Sequence, residues 1–230
     1  MPHINLNKVY LDYPVIGVDQ KSLKKTLINS VGGSLESRAS SLSVRVLNGI
    51  SYQFIPGDRY VIYGKNGAGK TTLLRVLSKV LTPTLGSVDI SGKVASLLDI
   101  SLGMEMDSTG YENIISRGVL MGYSISEIKK IIDDAIDFTE LGNFINLPLH
   151  TYSSGMKMRL GFAVSTALQA DIIVMDEWLS VGDEAFQVKA EKRLRNYISE
   201  DAILIVASHD KELASKLNAK SLFMEQGKIV

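Results

Sequence analysis

Gly64-Lys65-Asn66-Gly67-Ala68-Gly69-Lys70-Thr71-Thr72 fits the pattern G-x-x-x-x-G-K-[ST], and the chain is read outward from it. Before it runs Arg59-Tyr60-Val61-Ile62-Tyr63, a β-branched and aromatic stretch with the character of a short buried strand. After it, Leu73 to Val80 is apolar at helical spacing. Strand, glycine loop and helix form the context in which this motif grips phosphate. Gly64, Gly67 and Gly69 let the backbone turn so that successive N–H groups point inward as an anion site. The positive end of the following helix faces the same place. Residues Gly64 to Thr72 are therefore expected to line a nucleoside triphosphate. Lys70 reaches its β- and γ-phosphates and the Thr71 hydroxyl holds Mg²⁺.

With 230 residues the chain has room for one α/β domain carrying a small inserted subdomain. Its 25 basic and 25 acidic residues cancel, which argues against nucleic acid as the main ligand. No cysteine is present, so disulfides and thiolate metal sites are excluded. Met1 to Leu6 lack the charged leader and apolar run of a signal peptide. No apolar run is long enough to span a bilayer. The expectation is a cytoplasmic protein that docks on a membrane partner.

Along the chain, Ile4–Leu11 reads as a first strand. Residues 17–43 carry seven serines and the pair Gly32-Gly33, the composition of a flexible insertion. A helix over Ser22–Val31 would place Leu23, Leu27 and Val31 on one face and Lys21 and Lys25 on another. Such a helix either lies on anionic lipid or packs on its own domain. Val44–Phe54 and Arg59–Tyr63 read as a strand pair turned by Pro56-Gly57-Asp58. Short strands follow near Ser87–Ile90 and Lys93–Leu98. Helices follow over Tyr111–Met121 and Ser126–Phe138, the latter with Ser126 as its N-cap. After Pro148 come a helix (Gly155–Gln169), a strand (Asp171–Met175), a helix (Glu184–Tyr197), a strand (Ala202–Ala207), a helix (Lys211–Leu217) and a strand (Ser221–Met224), with a final hairpin at the end. Strands alternating with helices imply a mostly parallel sheet covered on both faces.

Ile172-Ile173-Val174-Met175-Asp176-Glu177 is an apolar run ending in two carboxylates. Beside a phosphate loop, a buried strand ending in Asp supplies the carboxylate that supports Mg²⁺, here Asp176. Glu177 stands where it orients or deprotonates the attacking water. Upstream, Thr151-Tyr152-Ser153-Ser154-Gly155-Met156-Lys157 opens a helix. Hydroxyls, exposed N–H groups and a positive helix end make a second anion grip there.

Together these motifs resemble the nucleotide-binding subunit of an ATP-binding-cassette transporter over nearly the whole chain. Gly64–Thr72 matches the family's first nucleotide motif and Ile172–Glu177 the second. Tyr152–Met156 stands in place of the signature Leu-Ser-Gly-Gly-Gln, keeping Ser153 and Gly155. The resemblance implies that Ser153, Ser154 and Gly155 of one copy cover the ATP held by another, and hence a homodimer in the ATP-bound state. It implies that Asp183, in Ser180-Val181-Gly182-Asp183, couples the two sites. It further implies that His209 senses the γ-phosphate and that Tyr10, with Tyr13 close second, stacks the adenine. No Asn-Lys-x-Asp guanine motif occurs, which favours ATP over GTP.

One departure stands out. No glutamine occurs between Gln53 and Gln169, where the family has a glutamine that contacts Mg²⁺ and the membrane partner. The stretch reads Leu97-Leu98-Asp99-Ile100-Ser101-Leu102-Gly103-Met104, so Asp99 is the candidate to complete the metal site. This pattern resembles the subgroup that exports O-antigen, capsule and teichoic acids. Thr109–Ile114, His150–Met156, Ser180–Phe186 and the insertion at 17–43 look the same way.

The expected fold is thus a phosphate-loop α/β cassette. Its core is residues 1–96 and 166–230, with a helical subdomain at 97–165 and an antiparallel β subdomain. The implied function is ATP hydrolysis with Mg²⁺, driving export of a lipid-linked polysaccharide through a separate integral-membrane permease subunit. The implied location is peripheral, on the cytoplasmic face of the bacterial inner membrane, with no role in binding nucleic acid. The alternatives are a cassette serving another transporter, or a soluble cassette ATPase acting on DNA or ribosomes. Long coiled-coil inserts or a second cassette in the chain would mark the soluble kind, and neither occurs.

Overall fold

The structure is a computed structural model that describes residues 1–15, 34–38, 41–98, 100, 103–167, 169–177 and 184–230. The helix expected at Ser22–Val31, and with it Asp99 and Ser180–Asp183, lies outside the described residues. In chain order the first elements are β1 (His3–Pro14), β2 (Ser34–Arg38), β3 (Ser41–Phe54), β4 (Arg59–Tyr63), α1 (Lys70–Leu77), β5 (Leu85–Ser91) and β6 (Val94–Ser96). Then come α2 (Gly110–Leu120), α3 (Ile125–Thr139), two 3₁₀ turns, α4 (Ser154–Ser165), β7 (Ile172–Asp176) and α5 (Glu184–Tyr197). Last are β8 (Ile203–Ala207), α6 (Leu213–Leu217), β9 (Lys220–Glu225) and β10 (Lys228–Ile229). Met1–Gly92 with Ile203–Val230 forms one compact unit, and Lys93–Ala202 a second.

The first unit holds an antiparallel sheet in the order β2-β3-β1-β5 and strands in the order β10-β9-β4-β8. β4 runs parallel to both β8 and β9. Tyr60, Val61, Ile62 and Tyr63 of β4 are all buried, as befits a strand covered on both faces. The expected β3–β4 hairpin is therefore corrected: β3 pairs with β1 in one sheet and β4 sits between parallel partners in the other. Pro56–Asp58 joins two sheets. Tyr52, Phe54 and Tyr60 meet across that joint, the Phe54 and Tyr60 rings 4.8 Å apart and edge to face. Within the stretch read as an insertion, Ser34–Arg38 forms β2 and pairs with Ser41–Arg45 of β3.

β1 changes phase half-way. Ile4 and Leu6 face the core, then Val9 and Leu11 do, so the inward parity switches from even to odd. Lys8, at φ 47°, makes the irregularity in the ladder between Leu6 and Val9 that switches it. Leu11 lies opposite Leu47, which is wholly buried. Tyr13 therefore follows Val9 and Leu11 in parity, whereas Tyr10 and Asp12 take the other face.

In the second unit β6 runs parallel to β7. α2, α3 and α4 pack on one another. Phe138 of α3, Phe162 of α4 and Phe186 of α5 meet with ring centroids 5.3–6.4 Å apart, an arrangement that fixes three helices at one point. The α3 cap differs from expectation. Ser124, not Ser126, is the N-cap: its hydroxyl accepts the Glu127 N–H, and the Glu127 carboxylate accepts the Ser124 N–H. The Glu127 carboxyl is held down to about 2, first by the Ser124 hydroxyl, then by the Ser124 N–H and by Lys93.

Candidate active site

The phosphate loop is built where β4 ends and α1 begins. α1 starts at Lys70, three residues earlier than the apolar spacing alone suggests, because the loop itself closes its first turn: the Leu73 N–H donates to the Gly69 carbonyl. Gly69 adopts φ 101°, a conformation that favours glycine, and a Cβ there would lie 3.0 Å from the Val46 carbonyl. Lys70 is buried, and its Nζ donates to the carbonyls of Gly64 at 2.7 Å and Lys65 at 3.3 Å. These contacts turn the cation back onto the start of the loop, where Lys65, Asn66 and Gly67 are exposed. Ala68 closes the curve with its N–H to the Lys65 carbonyl. Thr71 and Thr72 occupy the first turn of α1, with Thr71 exposed.

His209 stands in the same unit. The register Ile62↔Ala207, continued by the Ser208 N–H donating to the Ile62 carbonyl at 3.1 Å, brings the end of β8 level with the entry to the phosphate loop. His209 is exposed there. The turn behind it is fixed by Asp210, which accepts the Glu212 N–H at 2.9 Å and pairs with Lys216 at 3.0 Å. Those contacts, the Glu212 N–H first, hold the Asp210 carboxyl below the usual carboxylate range.

Tyr10 is less available than its sequence position suggests. The Arg45 guanidinium lies 5.0 Å from its ring centroid and is anchored by two hydrogen bonds to Asp12. The Tyr10 ring also packs over Gly49, where a Cβ would come within 2.9 Å of its hydroxyl. Tyr13 sits opposite Val44, half-buried, on the Leu11 side of the strand.

In the second unit β7 delivers Asp176 from four buried apolar residues, Ile172 to Met175. Glu177 follows at φ 70°, a left-handed conformation that costs a non-glycine residue about 1–2 kcal/mol. Both carboxylates are half-exposed. At the start of α4, Ser153 is the N-cap and its hydroxyl accepts the Met156 N–H. Ser153 and Ser154 are exposed, and a Cβ on Gly155 would meet only the Ser153 hydroxyl, at 3.9 Å. The serine-rich start of α4 is thus open to the surface. Tyr152 just before it is buried, and its hydroxyl donates to the Phe144 carbonyl at 2.6 Å.

Residues 47–180, more than half of the chain, match the ABC transporter family. The chain belongs to that family. The cassette is 39% identical to the O-antigen export system ATP-binding protein RfbE of Yersinia enterocolitica, covering 100% of this chain and 97% of that protein. It is 40% identical over 183 residues to the teichoic acids export ATP-binding protein TagH of Bacillus anthracis, covering 80% of this chain but only 33% of that longer protein. A solved dimeric ATP-binding cassette in a post-hydrolysis state, bound to ADP and Pi, shares the fold. Its TM-score is 0.70 at 18% identity, and the match covers 98% of this chain and 96% of that one.

One residue of the stretch before α4, Tyr152, has a local reason for its identity. Tyr152, where the family has leucine, fills the space left by Gly110, whose missing side chain would otherwise collide with the Tyr152 hydroxyl. Arg117 was not legible as structural: it is buried in mid-helix and donates to Ser165, 48 positions away. Only a signal linking distant positions would have found it. Among the described residues no helix is long and apolar enough to cross a membrane.

Proposed function

We propose that this ABC cassette hydrolyses ATP as one half of a symmetric pair, and that the cycle drives export of a lipid-linked, O-antigen-like polysaccharide through a separate integral-membrane subunit. The observation that carries the reading is the likeness to an O-antigen export ATP-binding protein along the entire chain, including the residues on either side of 47–180.

In this account the loop N–H groups and Lys70 hold the β- and γ-phosphates, and Glu177 orients the water that attacks in line. Thr71 and Asp176 offer hard oxygen donors, few in number, which suits Mg²⁺ because that ion keeps several waters and binds phosphate oxygens. Thr71 and Asp176 are the residues that would hold Mg²⁺, which would supply charge neutralisation on the phosphates. Asp99 stands where the family has its glutamine, and Asp183 links the paired sites. His209 reads the γ-phosphate from the end of β8. Ser153, Ser154 and Gly155 of one copy close over the nucleotide of the other. Adenine is assigned to Tyr13 in preference to Tyr10, since Tyr10 already carries the Arg45 guanidinium. The cassette then works peripherally, on the cytoplasmic face of the inner membrane.

The test is co-expression with a candidate polytopic membrane protein, followed by purification and vesicle assay. Joint purification and ATP-dependent movement of a lipid-linked glycan support the reading. An ATPase that copurifies with no membrane protein and moves no glycan contradicts it.

A further inference from the structure

The phosphate loop rests on the β9–β10 turn, and we infer that Gly227 is a positioning residue for the loop's grip on nucleotide. The inference rests on the reading above, that Gly64–Thr72 binds ATP. Gln226 and Gly227 connect Glu225 to Lys228 as a two-residue turn with both φ angles positive, 45° and 75°. Such a turn matches the twist of a tight hairpin. Gly227 uses both of its backbone groups away from that hairpin. Its N–H donates to the Ala68 carbonyl at 3.0 Å, and its carbonyl accepts the Asn48 N–H at 2.9 Å. One residue thus bridges the phosphate loop and β3.

The seat is tight. A Cβ on Gly227 would collide with the Val46 carbonyl oxygen and lie 3.0 Å from its carbon. The same hairpin touches the loop twice more. A Cβ on Gly64 would fall 2.5 Å from the Met224 carbonyl, and one on Gly69 would lie 3.4 Å from the Met224 methyl. The Val46 and Met224 carbonyls are backbone and do not swing aside as a side chain does. A side chain at 227 must therefore lift the turn off β3, and the hydrogen bond to Ala68 moves with it. Ala68 lies between Gly67 and Gly69, its own N–H held by the Lys65 carbonyl, and its carbonyl shares a peptide plane with the Gly69 N–H, so displacing that carbonyl tilts the neighbouring donor. Gly227 itself touches no reacting atom.

Gly227→Ala is the test, with ATP and inorganic tripolyphosphate as probes by calorimetric titration and folding checked by circular dichroism. The expected result is at least tenfold weaker binding of both probes by a folded variant, with kcat for ATP hydrolysis falling alongside a raised KM. A merely structural role for Gly227 predicts a lower melting temperature with both affinities unchanged in the folded protein. That outcome overturns the inference while leaving the ATP reading intact. Wild-type protein that ignores ATP overturns the reading itself. Should the variant not fold, amide exchange of the wild-type protein decides. ATP with Mg²⁺ is expected to slow exchange of the Gly227 N–H, and no change there, while the loop amides become protected, overturns the inference.

Discussion

Glu177 carries both a chemical and a conformational expectation, and three substitutions separate them. At φ 70° it occupies backbone space where a side chain costs about 1–2 kcal/mol. Glycine escapes that cost but loses about 0.5–1 kcal/mol of chain entropy on folding. Glu177→Ala and Glu177→Gly both delete the carboxylate, so their difference isolates the backbone. The glycine variant should be the more stable by roughly 0.5–1 kcal/mol, which for a chain of this size is a melting temperature about 1–4 °C higher. Glu177→Gln keeps the shape and removes the charge. Loss of a positioned base typically costs about 10²–10⁴-fold in turnover, so all three variants should lose ATPase activity on that scale while still binding ATP. Thermal unfolding and a coupled phosphate-release assay read the two effects side by side. A glycine variant that melts at or below the alanine variant refutes the left-handed placement. Turnover of Glu177→Gln within threefold of wild type refutes the catalytic assignment.

Three further expectations concern the adenine, the signature helix and acid stability. Tyr13→Ala should weaken ATP binding about 2–12-fold, from the roughly 0.5–1.5 kcal/mol of an aromatic contact, and leave tripolyphosphate binding unchanged; an equal loss in Tyr10→Ala alone would reverse the assignment. Tyr152→Phe removes the donor to the Phe144 carbonyl and should cost about 1 kcal/mol, a fall of about 2–4 °C in melting temperature. An unchanged melting temperature would contradict that bond. The depressed pKa of Glu127 means its cap contributes above its unfolded value of about 4.3 and is lost as pH falls towards about 2. The gap in thermal stability between wild type and Glu127→Gln should therefore be full at pH 6 and close over that window. A gap independent of pH contradicts the capping role.

The strand and helix flanking Gly64–Gly69, the apolar strand running into Asp176 and the bounds of α5 were legible because each is local: a motif's context, a run of apolar residues, a helical period. Partner choice was not. Pro56–Asp58 reads as a hairpin turn, yet β4 is buried on both faces and finds parallel partners more than 140 positions away. The β1 phase change was hidden because a bulge at Lys8 alters parity without altering composition. Ser124 and Ser126 are equally good caps by residue type, and the spacing from Ser124 to Glu127 was the clue that distinguishes them. The Arg45 contact that engages Tyr10 joins strands through a register that no single-strand pattern shows.

In the paired state proposed above, the serine-rich turn of one copy closes over the phosphate loop of another. The chain has no cysteine, so Asn66→Cys and Ser154→Cys, both at exposed positions, can be placed in a Glu177→Gln background with no native thiol to compete, each single-cysteine variant serving as the control for like-with-like pairing. The measurement is disulfide formation under mild oxidation, read by non-reducing electrophoresis. An intersubunit disulfide is expected to form with ATP and Mg²⁺, and not without nucleotide, whereas its absence in ATP would contradict the shared site.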